Sequence, residues 1–162
     1  MNSTIKLRVR QIERKVQVPI PSAIRYSKEL EKEGLLRKNI VGGVTFYSAN
    51  RGSKLFLLEK TFFNIKSLHE SGLITYLMNE LSYPSIILFG SYSRGEDTER
   101  SDIDLYLETP SKKKLCFKKF EKKLQREIQI FQHKNIHQIT NNHLANNIIN
   151  GITLNGFVEV VK

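Results

Sequence analysis

Two short groups of residues carry the clearest chemical potential in this sequence. Gly90 and Ser91 directly follow the apolar run 85–89. Ten residues then separate Ser91 from Asp102, and one apolar residue lies between Asp102 and Asp104. Alternate side chains of an extended strand project from the same face, so the two aspartates are predicted to lie roughly 7 Å apart on one face. Carboxylate oxygens are ligands that Mg²⁺ prefers, and repulsion between two carboxylates favours a cation between them.

The Gly-Ser pair has a complementary chemistry. A glycine at the end of a strand lets the backbone approach a phosphate closely, because no Cβ stands in the way. A serine that starts the next helix offers its hydroxyl, its amide and the positive end of the helix. We therefore predict that a phosphate and a metal ion meet at this place, with Arg94 or Arg100 neutralising the charge that develops on the phosphate.

The sequence of these two groups resembles that of a known family. Gly90-Ser91-Tyr92-Ser93-Arg94-Gly95 followed by Ser101-Asp102-Ile103-Asp104-Leu105 is similar to the nucleotidyltransferase superfamily, and in particular to its minimal branch, which is frequent in prokaryotic toxin–antitoxin pairs. Each half occurs by chance in many surface loops, whereas both halves at this spacing behind an apolar strand form a specific signal. The resemblance covers roughly residues 63–161.

The resemblance implies a fold and a reaction. The fold is an α/β (α+β) nucleotidyltransferase fold, a short mixed sheet flanked by helices, which we expect to be preceded by a small winged helix domain. The reaction is transfer of a nucleoside monophosphate from a nucleoside triphosphate, with ATP as the first candidate, to an acceptor hydroxyl, such as a tyrosine of a cognate toxin. Asp102 and Asp104 are the implied catalytic and Mg²⁺-binding residues. The implied nucleotide-binding residues are Gly90, Ser91, Arg94 and Ser101.

Family members also carry a third acid on a later strand, where it helps to hold the metal and to deprotonate the attacking hydroxyl. Here the corresponding strand is predicted over 127–131, and the apolar residues on either side align Gln129 with that acid. Glu127 lies two residues earlier on the same face. Two interpretations stay open: Glu127 completes the catalytic set, or the site binds nucleotide with poor turnover.

Three segments are predicted to position these residues: a winged helix-turn-helix-like domain over 1–52, a helical connector over 53–82 and the nucleotidyltransferase domain over 83–162. The connector is dense in apolar residues, which is typical of buried helices. After the motif we expect a helix over 112–126, the strand just described, and a terminal helix with an extended tail over 141–162. His133 and His137 have a spacing compatible with zinc, but no carboxylate or thiol ligand accompanies them, so no zinc site is predicted.

The N-terminal segment resembles a winged helix-turn-helix. Apolar spacing predicts a helix over 5–17, a break over 17–22 because of two prolines, and a second helix over 22–33. Two strand-like segments, 37–41 and 44–47, flank Gly42-Gly43, a pair that favours a hairpin turn. The second helix and the wing would contact DNA. The predicted DNA-binding residues are Ser22, Arg25, Tyr26, Lys28, Arg37 and Lys38.

The distribution of charge along the chain also favours binding to DNA. The chain has a formal net charge of +10, and residues 1–60 hold 13 Lys/Arg against 5 Asp/Glu, whereas residues 61–162 hold 13 against 11. Such an excess indicates a polyanionic partner. The lysines of 112–126 could contact nucleic acid or an acidic partner, although a solvated face is the favoured interpretation. The alternative to an enzyme is a non-catalytic DNA-binding transcriptional regulator with a degenerate nucleotide site, and an RNA-tailing enzyme is a third reading.

Several features bear on location. The longest apolar run, 86–89, is far shorter than the roughly 20 residues of a membrane span. The polar start Met1-Asn2-Ser3-Thr4 lacks the apolar region of a signal peptide. A single cysteine, Cys116, fits a reducing compartment. We therefore expect a cytoplasmic protein without a membrane partner, and the sequence leaves open whether it forms a homodimer.

Overall fold

The structure, a computed structural model, describes residues 5–161. It divides into two compact units, 1–58 (unit 1) and 59–162 (unit 2), with the division inside one helix. Residues 1–4, at the start of the predicted segment 1–52, and residue 162, at the end of the predicted segment 83–162, lie outside the described residues.

Unit 1 contains two helices followed by a two-stranded hairpin. Strands β1 and β2 pair antiparallel from Leu36 opposite Ala49 to Val41 opposite Val44. Gly42 and Gly43 have φ angles of 55° and 75°, the positive values that a tight hairpin turn requires. The predicted hairpin is therefore confirmed. The elements are α1 (Val9–Val16), α2 (Ile20–Lys32), β1 (Leu36–Val41) and β2 (Val44–Ala49).

The start of the first predicted helix was wrong. Leu7 is extended and forms a bridge with Tyr47, with backbone hydrogen bonds of 2.8 Å in both directions. This pairing satisfies the free edge of β2, a long-range contact that apolar spacing along the chain does not detect. The helix consequently begins at Val9 instead of Ile5.

The break between the two helices is shorter than predicted. It consists of Gln17, in a left-handed conformation with φ 54°, and the two residues after it. Helix α2 begins at Ile20, so Pro21 lies in its first turn, where the missing amide hydrogen is not needed. The prolines therefore start the second helix rather than separate it from the first.

Unit 2 is built around a four-stranded mixed sheet. The strand order is β5-β4-β3-β6, in which β4 and β5 are parallel and the other two pairs are antiparallel. A 3-10 turn covers Ile136–Gln138. Helix α3 also contains the division between the units. The elements are α3 (Lys54–Ser71), α4 (Leu73–Glu80), β3 (Ser85–Phe89), α5 (Gly90–Ser93), β4 (Ile103–Glu108), α6 (Lys118–Leu124), β5 (Ile128–His133), α7 (Asn142–Ile149) and β6 (Ile152–Asn155).

Apolar side chains cover both faces of this sheet. On one face Leu88, Ile103 and Leu105 are buried with residues of α3, α4 and α6. On the other face Phe89 and Tyr106 are buried with the 3-10 turn and α7. Burial on both faces explains why β3 is a continuous apolar run. Because Asp104 is two residues before Tyr106, it lies on the second face.

The segment predicted as a helix over 112–126 is helical only over Lys118–Leu124. The preceding residues are irregular, and the Cys116 amide donates to the Tyr76 hydroxyl at 3.1 Å. The side chains of Leu115 and Phe117 pack on the core from this irregular segment, so their burial does not require a helix.

The remaining elements of unit 2 follow the predictions with shifted bounds. The predicted connector 53–82 consists of the helices α3 and α4. Strand β5 runs two residues beyond the predicted end. The expected extended tail forms β6, an edge strand that pairs with β3. Among residues 5–161, no helix is both long enough and apolar enough to cross a membrane.

Candidate active site

The side chain of Asp104 lies directly against Gly90. Strands β3 and β4 pair so that Phe89 stands opposite Asp104, which brings the following glycine to the carboxylate. A Cβ at Gly90 would collide with Oδ2 of Asp104 and would be 3.1 Å from its Cγ. Gly90 also has φ 73°, a left-handed conformation that favours glycine. Only a glycine therefore fits between strand β3 and the carboxylate of Asp104.

The two aspartates differ in burial, and Asp102 affects Asp104. Asp102 directly precedes β4 and is exposed, whereas Asp104 is half-buried, and Ile103 between them is fully buried on the opposite face. Burial raises the pKa of the Asp104 carboxyl, the nearby Asp102 raises this pKa further, and Arg94 lowers it. The charged form of Asp104 is therefore held at a disadvantage that a cation would relieve.

The parallel pairing of β4 with β5 places Gln129 next to Asp104. Glu127 comes two residues earlier, and its carbonyl accepts a hydrogen bond from the Ile103 amide at 2.9 Å. Glu127 and Asp102 both line an open cleft of about 470 Å³. Within residues 5–161, no group of three His, Cys, Asp or Glu side chains is arranged to hold a metal ion.

The other predicted nucleotide-binding residues lie around the same loop. The Ser91 carbonyl accepts from the amides of Arg94 and Glu96 at 3.2 and 3.0 Å. Arg94 donates from Nε to Glu96 at 2.7 Å, and both side chains are about half exposed. The Ser101 hydroxyl accepts from the Thr98 amide at 2.9 Å, which folds the loop before Asp102.

A buried aspartate in this loop was missed by the sequence analysis. Asp97 is 1% exposed, and its carboxylate lies 2.5 Å from Lys60 Nζ and 2.8 Å from Asn64 Nδ2. Arg126 approaches it at 3.7 Å from the segment between α6 and β5. Asn64 also donates to the Tyr92 carbonyl at 2.8 Å. Asp97 thus connects α3, the loop between the two motifs and the segment that precedes β5.

Asp97 also affects its neighbours. Burial, and secondly the charge of Asp97, raise the pKa of Tyr92 to about 12, so this phenol is neutral at physiological pH. The available sequence signal was the pair Lys60 and Asn64, polar residues four apart within an apolar helix. A lone acid in a polar loop has no such pattern, because its burial depends on residues far away in the chain.

The predicted DNA-binding residues of unit 1 are mostly accessible. Five of the six side chains are exposed, and Ser22 is half-buried. Arg25 lies 3.8 Å from Glu29 and over the ring of Tyr26. Arg37 donates from Nε to the Asn50 side chain at 2.6 Å, which connects β1 to the turn after β2.

The geometry of the Gly-Ser and Asp-x-Asp groups can be compared with known proteins. Residues 77–151 match the family model of the nucleotidyltransferase domain. The matched residues include β3, α5, β4, α6, β5 and α7, and the mixed α+β fold of unit 2 fits a nucleotidyltransferase fold. The match supports a general nucleotidyltransferase activity with a nucleoside triphosphate as substrate. Searches of curated proteins and of solved structures found no significant match.

The side chains around Asp104 fit a divalent cation of the Mg²⁺ type. Burial, and secondly the charge of the nearby Asp102, raise the pKa of Asp104, and Gln129 is paired with Asp104 across the strands. Mg²⁺ commonly takes one or two carboxylates and completes its shell with water and substrate phosphates. A third protein carboxylate is therefore not needed for binding, although its charge would strengthen it.

Proposed function

We propose that this protein transfers a nucleoside monophosphate from a nucleoside triphosphate, with ATP as the first candidate, to an acceptor hydroxyl. The acceptor oxygen forms a bond to the α-phosphorus, the bond to the bridging oxygen breaks, and pyrophosphate leaves while a base takes the hydroxyl proton. The observation that carries the proposal is the packing of Asp104 against Gly90 within a region that matches the nucleotidyltransferase domain.

In this proposal each site residue has a role. The backbone at Gly90 and the hydroxyl of Ser91, which bonds to no other described residue, bind the triphosphate. Asp102 and Asp104 hold Mg²⁺, which would neutralise phosphate charge and orient the triphosphate. Arg94 stabilises developing negative charge, and Ser101 keeps the loop before Asp102 folded.

The third acid is assigned to Glu127. Glu127 lines the cleft together with Asp102, which supports a role for its carboxylate in accepting the proton of the attacking hydroxyl. Gln129 carries no charge and can contribute only an amide oxygen. The acceptor class carried over from the resemblance is a protein hydroxyl, such as a tyrosine on a cognate toxin.

Calorimetric titration with ATP and Mg²⁺ tests the nucleotide site. We expect binding that requires the metal and disappears in the Asp102→Ala, Asp104→Ala double variant. Label transferred to an acceptor from α-labelled but not γ-labelled ATP then identifies the reaction. Absence of metal-dependent binding with ATP, GTP, CTP and UTP alike would overturn the proposal.

A second candidate is a DNA-binding regulator whose nucleotide site is degenerate. It is favoured by the charge of unit 1, which holds 12 Lys/Arg against 4 Asp/Glu, and by Gln129 beside Asp104. Lys28 and Lys38 are exposed on α2 and on the hairpin, where they can contact phosphates. Salt-sensitive binding of duplex DNA, with no nucleotide transfer to any acceptor, would favour this candidate.

A further inference from the structure

The charge of unit 2 is concentrated in one short stretch. Residues 112–126, here called the basic segment, hold 8 Lys/Arg and 1 Glu, whereas the rest of unit 2 holds 6 Lys/Arg and 11 Asp/Glu. Unit 2 is therefore nearly balanced overall but strongly positive over the basic segment. Such a separation of charge is typical of a surface that binds a polyanion.

The internal contacts of the basic segment leave most of this charge uncompensated. Its one acid, Glu121, accepts from the Ile128 amide at 3.2 Å and forms no ion pair with a described lysine. Lys113 pairs with Glu80, and Lys119 lies over the rings of Tyr76 and Phe120. Lys123 donates to the Glu70 carbonyl at 2.6 Å. The side chains of four further exposed lysines make no ion pair, hydrogen bond or ring contact within residues 5–161, namely Lys112, Lys114, Lys118 and Lys122.

This arrangement is unfavourable for the helix itself. Lys118 and Lys122 are four residues apart on α6, as are Lys119 and Lys123, and like charges at that spacing destabilise a helix. A helix that merely faces solvent usually intersperses both signs of charge. Helix α6 has 7 residues and contains two such pairs. A ligand that supplies negative charge would offset the repulsion within these pairs.

We propose that the basic segment binds the phosphate backbone of nucleic acid. Its apolar side chains at 115, 117, 120 and 124 pack on the core of unit 2, so the outer surface presents lysines without an apolar centre. Protein–protein interfaces are depleted in lysine at their centre, whereas nucleic-acid interfaces are polar and strongly positive. The end of the segment, at Gln125 and Arg126, borders the cleft beside Asp102.

The test measures binding of a labelled 20-nucleotide single-stranded RNA to the full chain by fluorescence anisotropy at several salt concentrations, without nucleotide or metal. The test variant replaces the four exposed lysines with glutamine. We expect the slope of log affinity against log salt to become shallower by about 3, since each single-strand phosphate contact contributes about 0.7. The four substitutions are Lys112→Gln, Lys114→Gln, Lys118→Gln and Lys122→Gln.

A control variant removes the same charge elsewhere and should keep the wild-type slope. An equal loss in both variants, or no loss in the test variant, would overturn the proposal, as would equal displacement of the RNA by polyglutamate of matched charge. The control substitutions, at exposed positions of unit 2 outside the basic segment, are Lys66→Gln and Lys134→Gln, and they are compared with the double variant Lys118→Gln, Lys122→Gln.

Two further measurements separate this role from stability and from catalysis. Glutamine has a helix propensity close to that of lysine, and the test variant removes like-charge pairs, so its melting temperature should be equal or higher. A lower melting temperature would mean that these lysines are structural. The Asp102→Ala, Asp104→Ala variant should bind RNA as the wild type does, so failure of the proposed nucleotidyltransferase activity would leave this result unaffected.

Discussion

At the scale of single residues, Gly90 is important both for the backbone conformation after β3 and for the position of the Asp104 carboxylate. We predict that Gly90→Ala destabilises unit 2 by about 3 kcal/mol, because the left-handed conformation costs about 1–2 kcal/mol and the added methyl group displaces Asp104. Binding of ATP with Mg²⁺ should also be lost. Urea denaturation and calorimetric titration measure the two effects.

Gly72 provides a matched control for this substitution. It has φ 83° and no atom within 4 Å of an added Cβ. Gly72→Ala should therefore cost only the conformational part, about 1–2 kcal/mol, and leave nucleotide binding intact. Equal effects of the two substitutions would contradict the contact between Gly90 and Asp104.

Asp104 illustrates a conflict between stability and function. Burial and Asp102 raise its pKa in the folded protein, so the folded state retains this proton to a higher pH than the unfolded chain. The associated stability is fully present below the unfolded pKa and is lost as the pH rises through the folded pKa. At pH 7 the carboxylate therefore opposes folding.

Asp104→Asn should accordingly raise the melting temperature at pH 7 while abolishing Mg²⁺-dependent nucleotide binding. The gain in stability should disappear below about pH 4, where the unfolded carboxyl is also protonated. Asp102→Asn, at the exposed neighbour, should weaken binding with little change in melting temperature. A decrease in melting temperature for Asp104→Asn would contradict this electrostatic account.

At the scale of elements, the loop between the two motifs is held by a buried charge. Asp97→Ala removes the partner of Lys60, which is 21% exposed, and should cost about 3 kcal/mol, since an uncompensated cation remains. The adjacent Glu96 forms an ion pair of similar length, 2.7 Å, but on the surface. Glu96→Ala should reduce the free energy of unfolding by less than about 1 kcal/mol.

Urea denaturation of the Asp97→Ala and Glu96→Ala variants measures the difference. Equal losses in the free energy of unfolding would mean that the Asp97 cluster contributes no more than a surface ion pair.

The register between β4 and β5 decides which residue stands beside Asp104. Because Gln129 is paired with it, Gln129→Glu should place a third carboxylate in the site and tighten Mg²⁺ binding about tenfold. Metal titration by calorimetry measures this. Glu127→Gln should reduce transfer with little effect on nucleotide binding, as expected for a proton acceptor. No change from either substitution would exclude a third-acid role on this strand.

At the scale of the whole molecule, the two units carry separable functions in our proposals. Substitution of four cations of unit 1 with glutamine should reduce the salt slope of duplex DNA binding by about 3.6. Asp102→Ala with Asp104→Ala should leave duplex binding unchanged. Anisotropy with a labelled duplex checks both, and reduced duplex binding in the aspartate variant would contradict separability. The four substitutions are Arg25→Gln, Lys28→Gln, Arg37→Gln and Lys38→Gln.

The sequence by itself determined the features that depend on local geometry. Alternation around Asp102 and Asp104 predicted Ile103 and Leu105 on the core face, and both are fully buried. The Gly42-Gly43 pair predicted the hairpin, because its positive φ angles are a local requirement. The order of the Gly-Ser and Asp-x-Asp groups predicted the nucleotidyltransferase domain that the family comparison supports.

Only the tertiary structure decided what depends on residues distant in the chain. The bridge from Leu7 to Tyr47 shortened the first helix, and the packing of the segment before α6 shortened another. Asp97 became a buried centre because Lys60 and Arg126 reach it from other elements. Local periodicity cannot report such contacts, since partner choice and strand register are set by long-range pairing and by burial.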